Sequence, residues 1–217
     1  IKYRGSHGNL RLWRECKPQQ FLGAAVLFSL KQEALSSVGG GTFTQPNDIS
    51  MDSRYDAICG ITEDELYSVF GEAISEMASK LNYTVETMKA ELKKQYDGYH
   101  FSNALLDVYN PFSIINAFNK MDIDNYWYKS GTPTYLVKLL EGHHVNMQKL
   151  TSRPYESRYF VDYRADAENP LAMLYQSGYL TIKGYDRHYR EYTLDYPNVE
   201  VRKGFVALMA EANKCCS

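Results

Sequence analysis

The sequence contains no G-x-x-x-x-G-K-[ST] motif, so it lacks the loop of backbone amides and lysine that cradles nucleotide phosphates. No apolar strand ending in paired acids accompanies it either. Cysteine is scarce. Cys16, Cys59, Cys215 and Cys216 are scattered, without a C-x-x-C pair. Adjacent Cys215 and Cys216 form neither an ordinary disulfide nor a zinc half-site. Cysteines so scattered in a domain of this size suggest a reducing compartment, and a cytoplasmic setting is expected. The longest apolar run, Phe21–Leu30, falls short of the roughly 20 residues a membrane-spanning helix needs. It reads as a buried strand or short helix, and no membrane partner is expected. Neither charge sign dominates, since the net charge is -2. The whole chain is therefore not a polycation built for nucleic acid, although a local basic patch remains open. Internal repeats and low-complexity tracts are also missing.

What is present is globular. Hydrophobic residues make up 44% and charged residues 23%, which excludes wholesale disorder. The 19 tyrosines suit half-buried sheets and interfaces, because each packs a ring and keeps a polar tip. Residues 1–47 carry little periodicity beyond Phe21–Leu30, and Ser36–Gly41 (SSVGGG) is a flexible break. They stay unassigned.

From residue 48 the signals sharpen. Thr62 and Glu65 have capping-box spacing. Behind them Leu66, Val69, Phe70, Ala73, Ile74, Met77, Ala78 and Leu81 predict one apolar helix face. Thr84 opens another helix, with Val85, Met88 and Leu92 inward, ending near Tyr96-Asp97-Gly98-Tyr99. Asn110-Pro111, Thr132-Pro133 and Asn169-Pro170 each place a capping side chain before a proline that presets φ, so each predicts a helix start. After Gly178 the period changes. Tyr179–Tyr185 and Glu191–Leu194 predict a hairpin, and Pro197-Asn198 opens a last helix. The expected class is mainly α with a small β-hairpin: a helical bundle over 48–145, then a winged-helix-like unit over 146–217 in the order helix, helix, hairpin, helix.

Five ordered stretches carry a family resemblance: CGITEDEL (Cys59–Leu66), QYDGYHF (Gln95–Phe101), VYNPFSII (Val108–Ile115), YWYKSGTPTYL (Tyr126–Leu136), and GYLTIKGYD with YTLDYPNVEVR (Gly178–Asp186, Tyr192–Arg202). Over about residues 48–206 the chain resembles a bacterial AAA-ATPase-like family whose members often end in a PD-(D/E)XK nuclease-like domain. The resemblance implies a helical ATPase lid followed by a winged-helix-like region. Residues 1–47 would be divergent or a remnant of the ATPase core. ATP and Mg²⁺ would belong to the full-length family, with no cofactor held by this chain alone. The implied partners are the missing ATPase core and the downstream nuclease-like domain. Whether the chain is itself an enzyme stays open, and no ATP hydrolysis by it alone is expected.

The resemblance places Tyr96, Asp97, Gly98 and Tyr99 in a tight loop between helices, closing over an adenine on which the tyrosines stack. Residue types alone explain the same segment as a turn glycine with packing tyrosines. Lys183, Arg187 and Arg190, with His188, fall on or near the predicted wing and suggest phosphate contacts as an alternative. Asp186 and Glu191 flank them, and the predicted recognition helix 169–177 has no Lys or Arg. Asp195, Glu200 and Arg202 faintly echo a metal-dependent nuclease. Pro197 interrupts that strand, and Glu200 has a simpler role at a helix N-terminus. His143 and His144 are adjacent, hence splayed about 100° apart on a helix, a poor joint metal site. No catalytic or metal residue is assigned. Exposed apolar surface is expected on the 62–82 helix or around Phe21–Leu30, where an ATPase core would pack.

Overall fold

The computed structural model describes residues 51–129, 147–161 and 170–214. Phe21–Leu30, the 36–41 break, the Thr132-Pro133 helix, His143, His144, Asn169 and the tail cysteines lie outside them.

A 3₁₀ segment, Ser53–Cys59, leads into helix α1 (Glu63–Lys80). The capping box forms as expected: Glu65 N–H donates to Thr62 Oγ1 at 3.3 Å, and Thr62 N–H donates to Glu65 Oε2 at 3.0 Å. Leu66, Phe70, Ile74, Met77 and Ala78 are buried, whereas Val69 is 46% exposed. At 100° per residue Val69 lies about 110° from the centre of that buried stripe, so apolar spacing overcounted the face. The chain leaves α1 through Asn82 at φ 57, a left-handed conformation that asparagine tolerates.

Thr84 caps α2 (Val85–Tyr96) by accepting from Thr87 N at 3.1 Å. Its inner face is Met88, Leu92 and Tyr96. Asn110 Oδ1 accepts from Phe112 N at 3.0 Å, and Pro111 begins α3 (Pro111–Lys120). A single turn, α4 (Tyr126–Lys129), follows. These helices enclose a first core in which Phe70 stacks on Phe118 at 5.4 Å.

The second core gathers α5 (Met147–Thr151), α6 (Pro170–Gln176), the hairpin β1 (Thr181–Asp186) and β2 (Glu191–Asp195), and α7 (Val199–Lys214). Phe160 sits within it, edge-on to Tyr175 at 4.7 Å and Tyr192 at 5.6 Å. The architecture is thus mainly helical with one small antiparallel hairpin, as expected. The first strand starts later than its apolar run. Gly178 turns at φ 79, and the amides of Tyr179 and Leu180 still close onto Leu174 O. The ladder therefore begins only at Thr181.

Within the ladder Ile182 faces Leu194 and Gly184 faces Thr193, which leaves Lys183 as an extra residue in a bulge. Such a bulge kinks one strand and re-aims the side chain it carries. On its other side β2 is joined by Tyr155, which exchanges two backbone bonds with Tyr192 at 2.8 and 2.7 Å. Among the described residues, no helix is long and apolar enough to cross a membrane.

Candidate functional site

The segment after α2 is not the tight turn expected. Tyr96 ends the helix, and α3 begins only at Pro111. Between them the chain makes a long loop closed at its neck by an antiparallel bridge, Tyr99 N–H to Val108 O at 3.3 Å and Val108 N–H to Tyr99 O at 3.2 Å. Gly98 sits in the neck at φ 96, which side chains of L-residues resist. A Cβ there would stand 2.5 Å from Pro197 O and 2.9 Å from Lys183 Nζ. Glycine is required on both counts.

The bulge explains what fills that space. Lys183 leaves the ladder and donates Nζ to Gly98 O at 2.7 Å and Pro197 O at 3.0 Å. Burial holds its ammonium below the usual lysine range. Beside it, His100 fastens the loop to β1. Its amide donates to Thr181 Oγ1 at 2.8 Å, and that hydroxyl donates back to His100 O at 2.9 Å. The ring meets Ile182 O through Nδ1 and Asp107 Oδ1 through Nε2, both at 2.6 Å. Deeper in the loop, Ser102 Oγ donates to Asp56 Oδ2 at 2.6 Å and anchors it to the 3₁₀ segment.

Two buried carboxyls complete the junction. Asp97 is 3% exposed, and neither of its side-chain oxygens has a hydrogen-bond partner. The nearest cation is Lys93 Nζ, at 3.9 Å. Burial chiefly, with the Asp107 charge adding to it, pushes Asp97 up to about 6, against the weaker pull of Lys93 and of the nearby Gly98 amide, which makes no hydrogen bond of proper geometry to it. Glu200 is 0% exposed. It accepts from Ser113 Oγ at 2.6 Å and from Trp127 N–H at 2.7 Å. Burial again dominates and pushes it up to about 7, although Ser113 and the Trp127 and Tyr126 amides favour the charged form. Glu200 thus joins α7 to α3 and to the start of α4. Trp127 adds an edge-on ring contact with Tyr179 at 4.9 Å.

The four residues assigned to an adenine are dispersed by this packing. Tyr96 is fully buried in the first core, its hydroxyl donating to Asp124 O at 2.9 Å and accepting from Asp124 N at 3.0 Å. Tyr99 packs into the second core, with its ring 3.7 Å from the Cβ position of Gly178. Stacking needs an open ring face, and Tyr96 has none. Asp97 and Gly98 remain together at the neck. With no phosphate-binding motif in the sequence, the described residues do not by themselves form a fitting site for ATP and Mg²⁺.

The basic residues are also separated. Lys183 is spent on the two carbonyls. Arg187 and Arg190 are exposed at the hairpin tip, with Tyr189 between them 68% exposed. Asp186 Oδ1 shapes that tip by accepting from His188 N at 2.8 Å and Tyr189 N at 3.1 Å. The faint nuclease triplet does not converge: Asp195 and Arg202 are exposed while Glu200 is sealed. No cluster of three metal-ligating side chains occurs among the described residues.

A distant relative exists. The "Uncharacterized protein in vnfD 5′region" of Azotobacter chroococcum mcd 1 is 32% identical over 158 residues, covering 72% of this chain. This chain spans only 28% of that protein's length. No family profile matches the chain, and no solved structure matches it.

Sequence reasoning overlooked His100, Ser113 and the binding role of Glu200. His100 and Ser113 lie inside resembling stretches, QYDGYHF and VYNPFSII. A polar residue embedded among apolar neighbours was the available signal.

Proposed function

We propose that this chain is the lid and winged-helix-like portion of a AAA-type ATPase, relaying a nucleotide-dependent state without hydrolysing ATP alone. The carrying observation is the junction itself. Gly98 and His100 bond to the hairpin, while Ser113 and Trp127 bond to Glu200 of α7. A displacement imposed on the α1–α4 helices is therefore passed to the hairpin and α7 through buried polar bonds. The sequence resemblance supports the ATPase context, and the greater length of the relative leaves room for a nucleotide-binding half outside this span. An ATPase core and a nuclease-like domain are the partners this reading requires.

Calorimetry with ATP and Mg²⁺ tests it. The 217-residue chain should give no heat of binding, and the longer Azotobacter relative should bind ATP. Micromolar binding by the short chain, or none by the long one, would overturn the reading.

A second reading, a nucleic-acid-binding wing, draws on the exposed Tyr189 flanked by Arg187 and Arg190. An exposed ring between cations suits stacking on a base with phosphate contacts alongside. Binding to a single-stranded oligonucleotide should then weaken steeply with salt. It should drop at least about tenfold in a double Arg187→Ala, Arg190→Ala variant, as loss of two charge-assisted contacts implies. Affinity indifferent to both changes would dismiss the wing.

A further inference from the structure

Buried carboxylates in folded proteins are ordinarily paired with a cation, because burial alone makes the charged form costly. Glu200 departs from this. Its partners are the Ser113 hydroxyl on α3 and the Trp127 amide on α4. From the other elements around it come the Tyr96 ring of α2, Tyr99 of the loop neck, Tyr126 of α4, and Asp124 of the turn before α4. All of these are neutral at physiological pH or negative. Among the described residues no Lys, Arg or His forms an ion pair with it.

We propose that Glu200 is a proton-operated latch between the α3–α4 corner and α7, closed when its carboxyl carries a proton and loosened when it is ionised. In the closed form one oxygen accepts the Trp127 N–H. The other carries the proton and donates it to Ser113 Oγ, which reverses its present role from donor to acceptor. No charge is then buried at Glu200, and both of its carboxyl oxygens keep a partner. When the proton leaves for solvent, the same cage holds an anion with two or three hydrogen bonds and no counter-charge. Water then solvates the carboxylate better than the cage does, and the corner opens. The shift of the group to about 7, caused mainly by burial, puts this change within the pH range of ordinary buffers and cells. The latch stands independently of any nucleotide, since it needs only residues of this chain.

The reporter is built in. The sequence has two tryptophans, so Trp13→Phe leaves Trp127 alone, edge-on to Tyr179 and directly bonded to Glu200. Its fluorescence should titrate with a midpoint near 7. In a Trp13→Phe, Glu200→Gln chain the amide reproduces the protonated geometry, and the titration should vanish. Trp13→Phe, Asp97→Asn should keep it, which separates this latch from the raised carboxyl of Asp97. Hydrogen exchange on the unaltered chain gives a second measurement that needs no variant. Corrected for intrinsic rate, protection of the Trp127 amide should fall about tenfold between pH 6 and 8, as proton linkage requires for a group titrating midway. A flat titration, one that persists in Glu200→Gln, or unchanged protection would overturn the latch.

Discussion

Gly98→Ala should destabilise the chain by about 3–5 kcal/mol, an unusually large effect for one added methyl group. Two separate costs combine. The first is conformational: φ 96 is a region side chains of L-residues rarely occupy, worth roughly 1–3 kcal/mol. The second is steric and electrostatic. The new Cβ would stand 2.5 Å from Pro197 O, a backbone atom that cannot swing away, and 2.9 Å from Lys183 Nζ. Displacing the ammonium weakens its two charge-assisted bonds to backbone carbonyls, a loss of roughly 1.5–3 kcal/mol if the equivalent of one such bond is forfeited. Urea unfolding followed by circular dichroism measures the sum. Lys183→Met measures part of it alone, and the double variant should cost clearly less than the two single costs added, because both remove the same bonds. A Gly98→Ala midpoint within experimental error of the parent would sink this account of the neck.

Asp97→Asn should do the opposite and stabilise the chain above neutrality. Asp97 is raised from 3.8 to about 6, a shift of roughly two units. A folded-state value above the unfolded one means that the folded chain binds the proton more tightly. The associated stability is complete below about pH 4 and is lost as pH climbs through 6. Two units correspond to at most about 3 kcal/mol, and partial access of water brings the expected loss to about 2 kcal/mol. Asparagine keeps the shape and never ionises. It should equal the parent near pH 4 and exceed its stability by about 1–3 kcal/mol at pH 8. Glu200, raised from 4.5 to about 7, acts with the same sign and steepens the parent's decline over pH 4.5–7. Comparing parent and variant at each pH cancels the remaining carboxyls, including Glu63, whose hydrogen bonds from Tyr67 and Lys93 hold it below the usual range. If Asp97→Asn is less stable than the parent at pH 8, the carboxylate has a partner that this account lacks.

The legible parts of the fold were the local ones. Thr62 with Glu65, Thr84, and Asn110 before Pro111 each specify a helix start within four residues, and each cap forms. The hairpin and last helix were also readable, because a change from helical to alternating spacing is a short-range signal. The junction was not. Lys183 meets Gly98 across 85 positions, and Ser113 meets Glu200 across 87, so no window of sequence contains both partners. Glu200 illustrates the consequence. Beside Val199 it looked like an acid placed for its own helix dipole, yet it binds the start of a different helix. Tyr96 misled for a related reason. Within QYDGYHF it resembles an exposed stacking residue, but one turn of helix rotates it onto the Met88 and Leu92 face. Lys183 looked like the base of a basic wing because a bulge cannot be read from alternation alone.

That bulge also divides the hairpin by how freely each part can change. Below it, the Thr181–Asp195 and Ile182–Leu194 rungs are fixed by the second core and by His100. Above it and past the Tyr185–Tyr192 rung, Asp186 to Arg190 stand in solvent, and the tip closes through bonds internal to itself. Residues inserted or removed at the tip would therefore leave the facing of Ile182 and Leu194 untouched. Lys183 works as a joint of fixed length beneath an interchangeable end, so over evolutionary time the tip can be replaced without renegotiating the core.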